Sequence, residues 1–206
     1  MTHPRQAVYR KKAGWYALCL TVALSAMGAT WFEAKYTQPP LPKIKQLPGF
    51  DLTESSVHSF SLEELKGRVW LADFIYTTCP GSCPMLSSRL SSLQGDAFKN
   101  DAVRFVSVSV NPEHDTPEVL RQYAAKFHAQ PAKWLFLTGE KSKLCNLVNR
   151  GFMLESGDSV TVGAELVHST KLVLVDKSGC IRAYYDGISP DEPRKILRDL
   201  SRLLRE

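Results

Sequence analysis

Cys79 and Cys83, in the run Thr77-Thr-Cys-Pro-Gly-Ser-Cys-Pro84, are the residues of this chain best suited to chemistry. As thiolates they are nucleophiles in disulfide exchange and ligands for soft metals. Three residues separate them, one more than in a redox Cys-x-x-C. Positions four apart lie on one helical face about 5–6 Å from each other, so the pair could chelate one ion or close a disulfide. Two thiolates hold Cu(I) linearly, and a neutral imidazole would complete a three-coordinate site of two sulfurs and one nitrogen. The plainer alternative is a structural disulfide or two packed thiols. Gly81 and the flanking prolines suit an exposed turn better than packing.

An imidazole has few sources among the five histidines. His3 lies in a basic tail, and His58 and His128 stand among polar residues with no ligand types nearby. His114 follows an apolar run and is a second-rank candidate. His168 closes a polar stretch directly before the apolar strand 171–175, and it is the stronger one. Cys145 falls at helical spacing with Val148 and Phe152 and reads as a small core residue. A bridge between Cys145 and Cys180 stays open.

Certain elements must position these side chains. Residues 69–76 are a near-continuous apolar run, the pattern of a strand buried on both faces. A helix from about 84 to 93 follows, with Leu86, Leu90 and Leu93 on one side. The dithiol therefore sits where a strand turns into a helix, and a helix N-terminus favours the thiolate. A second strand is expected at 103–110 and a helix from Pro117 capped by Thr116. A short strand at 134–137, a helix at 141–150, a hairpin about the turn 176–179 and a helix from Pro190 complete the domain. This order predicts a thioredoxin-like α/β fold, a central mixed sheet flanked by helices. Asp73, six residues before Cys79, keeps the offset of the buried aspartate of thioredoxins. It is either a proton shuttle for disulfide exchange or simply a hydrogen-bonded core carboxyl.

The net charge of +5 belongs mostly to the first 32 residues, which carry four basic residues and no acid, leaving +1 for the rest. Nucleic acid is thus not an expected partner. Residues 13–32 are uncharged, long enough to span a membrane and flanked by aromatics. The expected organisation is a basic cytoplasmic tail at 1–12, a transmembrane anchor at 13–32, a proline-rich linker at 33–49 and the thioredoxin-like domain at 50–206. The positive flank places that domain in the periplasm, anchored in a bacterial inner membrane, with a mitochondrial inner membrane as the weaker alternative. A cleaved signal peptide is the competing reading of the same stretch.

The segment Asp73-Phe-Ile-Tyr-Thr-Thr-Cys-Pro-Gly-Ser-Cys-Pro84 resembles the signature of the Sco/SenC family of copper-binding proteins. Val110-Asn-Pro-Glu-His-Asp-Thr-Pro117 and His168-Ser-Thr-Lys-Leu-Val-Leu-Val-Asp-Lys-Ser-Gly179 are similar to two further blocks of that family. The resemblance implies a membrane-anchored copper chaperone with one copper, Cu(I) or Cu(II), on Cys79, Cys83 and His168. It implies delivery to the copper-site subunit of cytochrome c oxidase, a copper donor chaperone upstream and a thioredoxin-like reductant that keeps the dithiol reduced. Val167 stands where many members have an Asp before the histidine, and Gly81-Ser82 replaces a frequent acidic residue. The rival function is a thiol–disulfide reductase that keeps a partner's copper-site cysteines reduced. A peroxiredoxin is disfavoured because Tyr76 occupies the place of its motif threonine.

Overall fold

In the computed structural model the described residues are 39–154 and 169–206, with Thr21, Val22, Ser25 and Met27. The chain divides into Met1–Pro40 and Leu41–Glu206, and the fold is that of the second unit. Most of the expected anchor and the tail before it lie outside the described residues. Among the described residues no helix is long and apolar enough to cross a membrane.

The strands are β1 (Lys45–Gln46), β2 (Asp51–Glu54), β3 (Ser59–Ser61), β4 (Val69–Ile75), β5 (Val103–Ser109), β6 (Trp134–Thr138), β7 (Lys171–Val175) and β8 (Cys180–Asp186). The helices are α1 (Ser82–Ala97), α2 (Pro117–Lys126), α3 (Lys141–Cys145, continued by a π-helical turn over Asn146–Gly151) and α4 (Glu192–Arg205). One eight-stranded sheet runs β1-β8-β7-β4-β5-β6-β2-β3. Its centre, β4-β5-β6, is parallel; β7 adds antiparallel to β4, and β8 adds antiparallel to β7. This is the mixed thioredoxin-like sheet that the element order predicts.

Every residue of β4 is buried, because both faces are covered. Trp70 and Phe74 point to one face and meet the edge of Phe152, with ring centroids 6.1 and 5.0 Å away. Alternation sends Leu71, Asp73 and Ile75 to the other face. The buried side of α1 carries Cys83, Leu86, Leu90 and Leu93. A hydrogen bond between Ser87 Oγ and Tyr123 Oη at 2.9 Å ties α1 to α2. The apolar face of α4 buries Ile196, Leu200 and Leu203.

Residues 41–49, expected as spacer, pack against the domain instead. Lys45 and Gln46 pair with Ile181 and Cys180, and Leu47 is buried. The cause is Arg182 of β8, itself buried. It donates to the carbonyls of Leu41 and Pro42 and pairs with Asp176 at 2.8 Å and Glu206 at 2.7 Å. A buried guanidinium needs several acceptors, and two of these are backbone carbonyls of the incoming strap.

The loop after β8 closes tightly on α1. A Cβ at Gly187 would stand 2.2 Å from Leu86 Cδ2, 2.9 Å from Leu172 Cγ and 2.9 Å from the Thr170 carbonyl. Gly187→Ala is therefore expected to cost about 1–3 kcal/mol through overpacking. Urea denaturation measures this, and an unchanged midpoint would show that the loop yields freely.

Candidate metal centre

The dithiol is presented by a turn and a helix start. Residues 76–79 close a turn in which the Cys79 N–H donates to the Tyr76 carbonyl at 3.1 Å. Helix α1 begins at Ser82 with Gly81 as N-cap, so Pro84 lies in the first turn, where no backbone N–H is needed. The helix starts two residues earlier than its sequence pattern predicts. Cys79 consequently precedes the helix while Cys83 lies inside its first turn, rather than both sharing one helical face. What joins them is a hydrogen bond from the Cys83 N–H to Cys79 Sγ at 3.4 Å. Ser82 Oγ lies 3.8 Å from the same sulfur. Among the described residues Cys79, Cys83, Cys145 and Cys180 form no disulfide, so Cys145 and Cys180 are not bridged.

The two thiols differ sharply. Burial opposes ionisation of Cys79, but the N–H groups of Cys83 and Gly81, the Cys83 thiol and the Tyr76 hydroxyl outweigh it and bring its pKa down to about 6. The first turn of α1 contains no acidic side chain to cancel the positive end of the helix. For Cys83, burial dominates, and the neighbouring Cys79 and Asp73 add to it, so its thiol is pushed up to about 12. One sulfur is a ready anion and the other a proton-holding partner.

Asp73 is fully buried on the same face of β4. Its Oδ1 accepts from Ser107 Oγ at 2.6 Å, and Ser107 Oγ accepts from the Trp134 indole N–H at 2.9 Å. Oδ2 has no hydrogen-bond partner among the described residues. Burial raises this carboxyl to about 7, against the opposing hydrogen bond from Ser107. The group thus keeps its proton below about pH 7 and loses it above, compatible with either role expected of it.

His168 lies outside the described residues. The antiparallel register of β7 on β4, Val173 opposite Ala72 and Trp70 opposite Val175, brings the start of β7 to the sheet end from which the dithiol turn leaves. Among the described residues no three His, Cys, Asp or Glu side chains come together to hold a metal. The donor set on view is two sulfurs, one of them readily anionic, which suits a soft ion better than a hard one.

Beside the turn stands a group that the sequence pattern does not single out. Asp115 falls in a loop before a capped helix, yet it is completely buried and bonded to Thr77. His114 is half-exposed, with Nδ1 3.1 Å from Asp115 Oδ1. Nothing in the local pattern of polar residues signals that burial.

The model of the SCO1/SenC family matches residues 40–205. The SCO1 protein homolog of Bacillus subtilis (strain 168) is 34% identical over 146 residues, 68% of this chain and 73% of that protein. Among solved structures, BsSco is described as a member of the Sco family of cytochrome c oxidase assembly proteins, with an identified disulfide switch. It is 30% identical, with a TM-score of 0.70, covering 82% of this chain and 99% of that one. Bradyrhizobium japonicum ScoI, solved with copper bound, is 24% identical with a TM-score of 0.63, covering 78% of this chain and 100% of that one, a likeness of fold.

Proposed function

The chain belongs to the SCO1/SenC family, and from that footing we propose that it carries copper for the assembly of cytochrome c oxidase. Copper is the cargo, one ion per chain, held by Cys79, Cys83 and the imidazole of His168. The carrying observation is the asymmetric dithiol, in which Cys79 is held as a thiolate by the Cys83 N–H at the start of α1. An anionic sulfur with a second sulfur one turn away favours Cu(I), and an added nitrogen would extend the site to Cu(II). The register of β7 supports His168 as that nitrogen's source. Copper would arrive from a donor chaperone and leave to the copper-site subunit of the oxidase. A thioredoxin-like reductant would return the dithiol from its disulfide, since thiols exposed to an oxidising compartment do not stay reduced unaided. The uncharged run 13–32 would anchor the domain on the periplasmic face of a bacterial inner membrane.

One observation favours a second reading, thiol–disulfide exchange with the copper-site cysteines of a partner. A low-pKa attacking thiol beside a high-pKa one is the arrangement of an oxidoreductase pair, and the relative BsSco has an identified disulfide switch. His168→Ala separates the two. For a copper carrier it should abolish Cu(II) binding, retain Cu(I) on the two sulfurs and fail to restore oxidase assembly at limiting copper. Full restoration by the variant would leave the reductase reading standing.

A further inference from the structure

Outside the two sulfurs, the turn that carries them is bonded to Asp115. Its carboxylate is wholly buried and collects four donor groups. The Thr77 N–H lies 3.3 Å from Oδ1 and 3.2 Å from Oδ2, and Thr77 Oγ1 donates to Oδ1 at 2.5 Å. Ser109 Oγ donates to Oδ2 at 2.6 Å, and His114 Nδ1 stands 3.1 Å from Oδ1. His114 Nδ1 is also 3.3 Å from Thr77 Oγ1. The loop is built around this carboxylate. Asn111 N–H donates to Ser109 Oγ at 3.1 Å, Asp115 N–H to the Asn111 carbonyl at 2.8 Å, and the next residue, Thr116, caps α2.

Thr77 is the second residue of the turn 76–79 that delivers Cys79. We infer that Asp115 is the positioning residue of the dithiol, bolting that turn to the end of β5 and the start of α2 so that Cys79 Sγ meets the Cys83 N–H. Only an acceptor-only group satisfies this cluster. An Asn would turn an amide NH₂ toward donors already there, leaving polar groups unpaired in the interior. Slackening the turn weakens the N–H···S contact that stabilises the reduced pair. The effect falls on the dithiol itself, whichever function that dithiol serves.

The test is the equilibrium of the full chain, metal-free, with glutathione. The Cys79 thiolate and the Cys83 thiol give up two electrons and the Cys83 proton as one S–S bond forms. Glutathione disulfide takes those two electrons, that proton and one more from solvent and is released as two glutathione thiols. Asp115→Asn is expected to shift the equilibrium constant toward the protein disulfide by about tenfold, close to 30 mV for a two-electron couple. Thr77→Val, which removes one donor and leaves Asp115 in place, should shift it in the same direction. The double variant should go no further than the larger single one, because both act through one contact. An unchanged constant with only a lowered melting temperature, additive shifts, or a shift toward the dithiol would overturn the inference. If Asp115→Asn fails to fold, Thr77→Val decides by the same criterion. Copper binding by the wild-type chain is measured separately, so failure here leaves the functional reading untouched.

Discussion

At pH 7 the reduced, metal-free chain is expected to react with iodoacetamide at Cys79 at least about a hundredfold faster than at Cys83. With a pKa of about 6, Cys79 is mostly thiolate at that pH, whereas Cys83, at about 12, is almost wholly thiol. The thiolate fractions then differ by about 10⁵-fold. A weaker base is a weaker nucleophile, and a Brønsted slope near 0.45 across this gap returns about 500-fold, which leaves a few hundredfold in favour of Cys79. The rate at Cys79 should rise with pH to a plateau, with its midpoint near 6, because deprotonation creates the nucleophile. Peptide mapping by mass spectrometry reads the result, and equal labelling or Cys83 first would sink it. The same asymmetry orders any disulfide exchange. Cys79 attacks or is released, and Cys83 closes the intramolecular bond. For a metal, Cys79 can bind without first shedding a proton, while Cys83 must lose one, so metal uptake should release a proton chiefly from Cys83.

The central strand, the dithiol and the helix behind it are legible in the sequence because their signals are strong and local. Val69–Ile75 is an apolar run broken only by Asp73, and Leu86, Leu90 and Leu93 keep helical spacing on one face. The start of α1 is misplaced by the pattern because Pro84 looks like a first helical residue, although a proline is tolerated anywhere in the first turn. The hairpin of β2 and β3 escapes notice because Asp51, Thr53, Glu54 and Ser59 carry little of a strand's apolar alternation. Backbone pairing to β6, together with burial of the lone apolar residues Leu52 and Phe60, holds that edge in place. The strap before β2 misleads for a similar reason. Its prolines signal an extended chain, which it is, but the partner that buries it, Arg182, lies about 140 residues away. Asp115 is the clearest case of a site residue invisible in one dimension. Its donors, Thr77 and Ser109, come from separate strand ends that only the parallel pairing of β4 and β5 unites.

Asp73→Asn is expected to make the domain more stable than wild type above pH 7, by a margin that grows from acid pH. Burial raises the Asp73 carboxyl from an ordinary value of 3.8 to about 7 in the folded chain. Between those values the folded state binds a proton that the unfolded state has lost, so the stability of the wild type falls as pH rises through the window. The contribution is fully present below about pH 4 and spent once pH passes the folded value near 7. Roughly three units at about 1.4 kcal/mol each put the loss at about 4 kcal/mol. An asparagine has no proton to lose and can still accept from Ser107 Oγ through its carbonyl oxygen. The wild type and the variant share the thiol titrations of Cys79 and Cys83, so the difference between them isolates Asp73, save for its repulsion of the Cys83 thiolate, which belongs to higher pH. Denaturation at pH 4, 6 and 8 measures the difference, which should swing toward the variant by a few kcal/mol. A difference flat across that range would mean that Asp73 stays ionised in the folded chain, and it would remove the buried proton on which any shuttle role beneath the dithiol depends. A swing in stability with unaltered disulfide exchange would assign Asp73 to the core alone, since a proton shuttle must also slow the exchange when its proton is taken away.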